Sequence, residues 1–513
     1  AGGSSNIITI SNNTITGISS ATSPSSAFLG VSNASAATAN TVNINGNIVE
    51  NSPLAGTGAW TGISNLATAP NLSLSNNIVR NSNVTTTGTI AAIANSATVG
   101  TVNMSGNTIT GMTKASVAAT TSWLSSINAT TSSVKNNVIF NNTVTTGAFP
   151  VTVNCILVGG TLSTYEIDQN IISKNSVTGI SGANAAILIG ISLNNIGYSY
   201  VSEKISNNQV RNLYIDGGSN LHTLRGISAI TSSSVTKNIH NNLIDSLYVN
   251  SNSSAAISGI ATQTGTLVNV FKNKVQNLFP GQSAATGSYA RGIGSSTGTT
   301  INIHNNMIAL DYSLAFAPAL NARVNNAEGL KGIEVTAGTN VNLYYNTIRL
   351  GGTGFTTFGA SGIGVTSLTP VITLKNNIVV NECTRIGATG FASALRRAAG
   401  SLANYSTTSN NNFFYAGTPS ATNFLFYNGT GYQDLATLVP AVTPRETASV
   451  AGPLPVNFFQ SIVNPIDLRV NTANSCLVDG AGIPIVGYTT DIEEDTRDAA
   501  FPDMGADEHT GTG

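Results

Sequence analysis

The chain has 513 residues, a formal net charge of −1 and only 8% charged residues, far below the roughly 25% of an average soluble protein. Sparse, balanced charge argues against a nucleic-acid binder, which carries a clustered basic face, and 41% hydrophobic residues at near-zero net charge exclude an intrinsically disordered chain. No run of about 18 apolar residues is present, so no membrane-spanning segment is expected.

The chain opens AGGSSN, as a mature or excised fragment would. From there an asparagine pair recurs about every 30 to 40 residues inside the same apolar alternation: ISNNTI, LSNNIV, VKNNVI, ISNNQV, IHNNLI, IHNNMI and LKNNIV, with looser copies such as INGNIV, IDQNII and LYYNTI. Aligned on the second asparagine, the copies place Asn13, Asn47, Asn77, Asn107, Asn137, Asn170, Asn208, Asn242, Asn273, Asn306, Asn346, Asn377 and Asn412 in one column. Three positions earlier stand Ile10, Ile44, Leu74, Met104, Val134, Ile167 and their equivalents; two positions later stand Ile15, Val49, Val79, Ile109, Ile139 and Ile172. Apolar, β-branched columns on either side of a polar one fit strands whose alternate side chains enter a shared core. The residue two before the asparagine is mostly polar and should face water. The asparagine is then expected at a turn, where it can adopt positive φ and stack as a side-chain ladder.

A second column reads Gly62-Ile63, Gly190-Ile191, Gly226-Ile227, Gly259-Ile260, Gly292-Ile293, Gly332-Ile333 and Gly362-Ile363. From this isoleucine to the next repeating asparagine the spacing is mostly about 13 to 15 residues, whereas the return arc varies from about 16 to 27. One arc of each coil is therefore constant and the other takes insertions, the longest at 309–331, with others at 280–292 and 351–362. Cys155, in VTVNCILV, reads as a buried small hydrophobe, and with Cys383 and Cys476 makes neither a disulfide framework nor a metal knuckle.

Period, alternation and asparagine column together resemble the right-handed parallel β-helix of the pectate-lyase-like superfamily. The expected fold is an all-β solenoid of about 13 coils over 1–415, with an end or cap region over 416–513. Members of that superfamily include polysaccharide lyases and hydrolases, so the outward positions were read for paired carboxylates and calcium ligands. Charges there are isolated and mixed, and Arg211 and Asp245 read as a cross-coil ion pair. His222, His240, His304 and His509 lack a metal spacing. His240 and His304 occupy equivalent outward positions two coils apart, with Phe271 between, and read as solvated surface residues. The best candidate for recognition is the long insertion and its neighbours: Arg291, Asp311, Tyr312, Arg323, Glu328, Lys331 and Arg349, together with Glu334 and the rings of Phe316, Phe355 and Phe358. The alternative is a packed loop that closes the edge of the coil.

After Asn412 the repeat gives way to aromatic clusters, prolines and a final stretch containing Asp467-Leu468, Asp479-Gly480, Asp491, Asp495, Arg497, Pro502-Asp503 and Gly505-Ala506-Asp507-Glu508. This stretch is similar to a terminal block on secreted bacterial β-helix proteins, and resembles the ends of large surface proteins exported by the type IX route. Physically it suits a cap, because an uncovered solenoid end exposes core and strand edge. Asp491, Glu493, Asp495 and Asp503 are candidate ligands for a structural calcium ion; alternatively the loop is tied by Arg497 and its acids are solvated. No other cofactor is expected. The resemblance implies an extracellular adhesin or filament module contacting polysaccharide, other copies of itself or further domains of a longer chain, with a lyase or glycoside hydrolase acting on acidic polysaccharide as the alternative.

Overall fold

The computed structural model describes residues 6–19, 25–34, 39–115, 119–160, 164–251, 254–281, 287–312, 324–354, 356–385 and 389–509, with backbone alone at 194–200 and 232–235. The chain forms a right-handed parallel β-helix of about 12 turns. It divides into two compact units, Ala1–Lys237 with Leu247–Ser253, and Asn238–Ser246 with Ser254–Gly513. No helix among the described residues is long and apolar enough to cross a membrane.

In the first unit three strands of each coil carry the repeat's apolar columns, and from Leu54 a further short strand between the second and third stacks Leu54, Val84, Lys114, Val144 and Val177. The strand before the asparagine stacks in parallel register, so that Ile10, Ile44, Leu74, Met104, Val134, Ile167 and Ile205 fall one above another. The strand after it aligns Ile15, Val49, Val79, Ile109, Ile139, Ile172 and Val210 in the same way. From Ile44 and Val49 onward both columns are fully buried. Each such side chain contributes roughly 1.5–3 kcal/mol on burial, and the pattern Ile-x-x-Asn-x-Ile in the sequence is what keeps it inward. The third strand stacks Ile63, Ile93, Leu124, Ile156 and Ile191. The glycine before this isoleucine has a steric cause: a Cβ on Gly62 or Gly190 would lie 2.6 Å from the backbone oxygen of Ala92 or Gly226 in the next coil. The neighbouring strand's carbonyl, with Val79 or Val210 across the core, leaves no room for a Cβ at Gly62 or Gly190, whereas Ala92, Trp123 and Cys155 fill the same column in the coils between.

The repeating asparagine is buried and fully bonded. The backbone N–H of Asn77 donates to Asn107 Oδ1 at 3.0 Å, and Asn77 Nδ2 donates to the same oxygen at 3.1 Å and back to Ile44 O at 2.8 Å. Asn47, Asn107, Asn137 and Asn170 repeat the pattern in this unit. In the second unit Asn273, Asn306, Asn346 and Asn377 do the same. Two lone pairs and two amide hydrogens are thus all used, which an aspartate, serine or alanine could not reproduce.

Positive φ, expected on this residue, belongs instead to the one before it: Asn12, Gly46, Asn76, Gly106, Asn136, Gln169 and Asn207 in the first unit, and Asn241, Lys272, Asn305, Tyr345, Asn376 and Asn411 in the second, with φ between 52° and 67°. The left-handed residue turns the chain and points outward, leaving its neighbour to enter the core. The asparagine pair is two positions with two tasks.

The second unit ends in a different way from its coils. The helix Leu435–Val442 starts at Asp434, which accepts from Thr437 N at 2.8 Å, and the strand Val450–Ala451 pairs in parallel with Phe413–Tyr415 as the last rung. The ladder's final amide is satisfied by new partners: Asn412 N donates to Ser449 Oγ, and Asn412 Nδ2 to Glu446 Oε2, both at 3.0 Å. The acidic terminal block does not lie over this end. Residues 454–509 run along the flank of the coils, where Phe458, Phe459, Leu468, Val470, Val478, Ile492 and Met504 pack on Met307, Ala309, Ile378, Val380 and Phe413.

The same block grips the outward left-handed positions of five successive coils. Lys272 Nζ pairs with Glu494 at 2.6 Å, Asn305 Nδ2 donates to Thr490 O at 2.8 Å, and Tyr345 Oη donates to Ile483 O at 2.9 Å. Asn376 Nδ2 donates to Ile483 O at 2.7 Å and Asn411 Nδ2 to Ala481 O at 3.0 Å. Beside this column the histidines read as solvated are instead stacked. His240 lies 4.6 Å from Phe271, and Phe271 lies 5.0 Å from His304, with the ring planes nearly parallel in both cases, while Tyr488 of the block meets His304 edge-on at 4.7 Å. A stacked aromatic column explains the phenylalanine between two histidines. His222, in the first unit, is also buried: its Nδ1 accepts from Ala186 N at 3.0 Å and its Nε2 donates to Gly217 O at 2.8 Å.

Two measurements follow. Asn107→Ala removes four buried hydrogen bonds and is expected to lower stability by about 3 kcal/mol, whereas Asn103→Ala, exposed on the same strand, should change it by less than about 0.5 kcal/mol; urea-unfolding midpoints of the two variants make the comparison. Burial, then the charges of Lys272 and Arg497, push His304 down to about 3. Its unfolded value is about 6.5, so its contribution is complete above that pH and is lost toward pH 3, by up to about 1.4 kcal/mol per pH unit. His304→Phe keeps the stack and should flatten the slope of stability between these limits relative to the parent protein, measured by denaturant unfolding at each pH.

Candidate functional site

The constant arc of the second unit carries the residues that come together. On its outer face the strands Tyr289–Ser296, Leu330–Val335, Ala360–Val365 and Ala392–Arg397 align Arg291, Lys331, Ser361 and Ser393 in one column and Gly294, Glu334, Gly364 and Arg396 in another. Arg291 Nη1 lies 2.5 Å from Glu334, Lys331 Nζ lies 2.5 Å from Glu334 and 2.6 Å from Glu328, and Arg396 Nη2 lies 3.0 Å from Glu328. This is a continuous chain of five charges in a protein with few. The glycines make room for it: a Cβ on Gly294 would lie 2.5 Å from Arg291 Nε, and one on Gly364 would lie 3.2 Å from Lys331 Cδ. Burial pushes the Glu334 carboxyl up, but Lys331 and Arg291 outweigh it and hold the group below the usual carboxylate range.

At its open end the strip meets an aromatic platform. The Arg396 guanidinium sits 4.7 Å over the Phe391 ring and 5.8 Å over Tyr427; Phe391 and Tyr427 are 4.3 Å apart, and Phe424 lies 5.3 Å from Phe391. All three rings are half-exposed. Arg396 Nη1 also donates to Ala327 O at 3.0 Å; held flat against the rings and tethered at both Nη atoms, the guanidinium keeps its remaining N–H groups directed.

The other expected members of this patch lie elsewhere. Asp311 and Arg349 form a buried pair at 2.6 Å on the strands of the variable arc, with Glu382 2.8 Å from the same guanidinium. Tyr312 is buried between Phe279 and Phe358 and serves the core. Arg323, Phe316 and Phe355 lie outside the described residues. Arg396, Phe391, Phe424 and Tyr427 were missed by sequence reasoning. Aligning the repeats on the Gly-Ile isoleucine, and extending that column to Leu395, places Glu334 and Arg396 in one outward file and Arg291 and Lys331 in another.

The four acids considered for calcium do not converge. Asp491 is buried, and its oxygens accept from the backbone N–H groups of Glu493, Asp495 and Glu508 at 2.8–2.9 Å. Glu493 pairs with Arg469 at 3.3 Å. Asp503 accepts from Gly480 N at 2.6 Å and His509 N at 2.7 Å. Arg497 ties the loop: it pairs with Glu508 at 3.1 Å, donates to Gly505 O at 2.9 Å and to Asn305 Oδ1 at 3.0 Å, and lies 3.9 Å over Tyr345. A cleft of about 1000 Å³ opens on this block, lined by Arg469, Asp479, Glu493, Asp495, Asp507 and His509 among others. Burial, followed by the charges of Asp491 and Glu493, pushes the Asp507 carboxyl up to about 7.

Arg211 and Asp245 also have other partners: Arg211 donates to Gln209 Oε1 at 2.7 Å, and Asp245 accepts from Asn277 Nδ2 at 2.8 Å. The fold and its outer strip define a parallel β-solenoid with a structured, charged and aromatic outer face. Comparison of the chain with protein-family models, curated proteins and solved structures gives no match.

If Asp311 and Arg349 hold coils together, Arg349→Ala should lower stability by about 3 kcal/mol, because a buried carboxylate loses its cation. The double variant Asp311→Leu/Arg349→Leu should recover much of the loss. Urea unfolding of the three proteins measures this coupling.

Proposed function

We propose that this chain is a structural and adhesive module of an extracellular, cell-surface protein, and that its constant arc binds acidic polysaccharide. The observation that carries the reading is the strip from Arg291 to Arg396 ending on Phe391, Phe424 and Tyr427. The apolar face of a sugar ring packs on an aromatic ring, while arginine forks carboxylate or sulfate groups. Three cations, Arg291, Lys331 and Arg396, stand against two carboxylates, Glu328 and Glu334, so the strip has a net charge of 3 − 2 = +1 and favours an anionic chain. The β-solenoid supports a structural or polysaccharide-related role in general. Resemblance to the pectate-lyase-like superfamily and to type IX-exported surface proteins supports the extracellular setting. Multivalent display, or contact with further copies, would turn one weak site into firm attachment.

A second reading, a polysaccharide hydrolase, rests on Asp507. Pushed up to about 7 by burial and by the charges of Asp491 and Glu493, the Asp507 carboxyl on the wall of the cleft has the character of a general acid. Glycan-array binding with the parent chain, Arg396→Ala and Tyr427→Ala separates the readings. The adhesive reading expects an acidic-glycan signal that falls at least tenfold in both variants while their unfolding midpoints hold. Equal binding by the variants, or none by the parent, sinks it; release of reducing ends that Asp507→Asn abolishes favours the hydrolase.

A further inference from the structure

Asp479 follows the short helical turn Thr472–Asn474, and Asp503 and His509 belong to the final stretch of the chain. One ligand atom from each of these three residues lies within 4.8 Å of the other two. Two carboxylates so close together favour a positive charge among them, a bound cation or the protonated imidazole itself. The imidazole supplies a second observation. The His509 side chain is only 5% exposed, yet its Nε2 has no hydrogen-bond partner. Its Nδ1 pairs with Asp503 Oδ2 at 2.9 Å. Two neighbouring ligands on one ion, each at ~2.1 Å, lie roughly 3.0 Å apart at octahedral angles and roughly 3.4 Å apart at tetrahedral ones.

The surroundings are built to hold these groups. Gly480 N and His509 N fix the Asp503 carboxylate from behind, as outer-shell donors orient a metal ligand. The cleft of about 1000 Å³ leaves space for water to complete the coordination. Its rim of Glu493, Asp495, Asp498, Asp507 and Glu508 concentrates cations.

We propose that Asp479, Asp503 and His509 bind one divalent transition-metal ion of the zinc class. An imidazole with two carboxylates suits zinc, whereas calcium and magnesium take oxygen ligands alone. The site shares only Asp503 with the expected calcium ligands and differs from them in chemistry. It would fasten residues 502–509 to the loop at Asp479, and so hold the terminal block, which runs along five coils, closed at its last segment. The inference is independent of the glycan site.

The test uses the full chain without a histidine tag, stripped by chelator and titrated with Zn²⁺ by calorimetry. Expected are one ion per chain, at least tenfold weaker binding in His509→Gln and in Asp479→Asn, and slower limited proteolysis of residues 454–509 when Zn²⁺ is present. Co²⁺ should give visible absorption bands of a nitrogen–oxygen site that disappear in His509→Gln. The variants' unfolding midpoints in chelator should equal the parent's, which separates lost ligation from misfolding. Absence of stoichiometric Zn²⁺ binding, equal binding by His509→Gln, or binding of Ca²⁺ in preference to Zn²⁺ overturns the proposal.

Discussion

Everything in this protein depends on a buried amide that must be bonded on every side. The repeating asparagine uses its oxygen twice and its nitrogen twice, in each case to a neighbouring coil or its own turn. A ladder of this kind tolerates little change in coil separation, because a side-chain hydrogen bond weakens steeply beyond about 3.2 Å. It therefore pins the turn and the two strands beside it, and any length variation must be taken up elsewhere. The ladder also has a direction: each coil passes its amide hydrogens to the next. The last of them needs an acceptor, and Glu446 supplies it, buried with its pKa raised by desolvation and bonded also to the hydroxyls of Tyr405 and Ser449.

The direction of the turn has a second consequence. Because the left-handed residue precedes the ladder residue, its side chain is free of the core in every coil. In the first unit these positions are asparagine, glycine or glutamine. In the second they include Lys272 and Tyr345, and the terminal block binds both. The same position thus serves as a plain turn in one place and as an anchor in another. Acidic residues in the block, which from sequence alone suggest an ion, are largely spent on backbone N–H groups and on Arg469, Arg497 and Lys272.

The apolar columns were legible because they recur at fixed distances from the asparagine, and a buried parallel strand admits little else at those positions. The asparagine's burial was legible for the same reason. The assignment of positive φ was not: both members of Asn-Asn tolerate it, and only copies such as Asn-Gly-Asn and Tyr-Tyr-Asn, where Gly46 and Tyr345 stand first, separate the two roles. The histidine–phenylalanine column looked like an interrupted pair, because stacking between unlike rings has no sequence signature. Asp311 and Arg349 looked like surface charge because they sit beside an insertion; cross-coil register, not chain proximity, brings them together. The strip from Arg291 to Arg396 was half visible. Its first members lie near the long insertion, but Arg396 and the aromatic rings come into file only when the coils are aligned on the Gly-Ile arc.

The two ends of that strip are not equivalent. Lys331 and Glu334 have side chains only 9% and 10% exposed and lie on one strand, so their attraction acts where water screens it poorly and fixes Glu334 for its cross-coil bond to Arg291. Glu328 and Arg396 are 33% and 20% exposed. Desolvating the inner pair for a ligand would break bonds that nothing replaces, whereas the outer pair can exchange water for a ligand while Arg396 stays stacked on Phe391. A polysaccharide that follows the strip would therefore gain its specificity at Arg396 and the platform, while the glycine-flanked inner charges keep the strands beneath it in place.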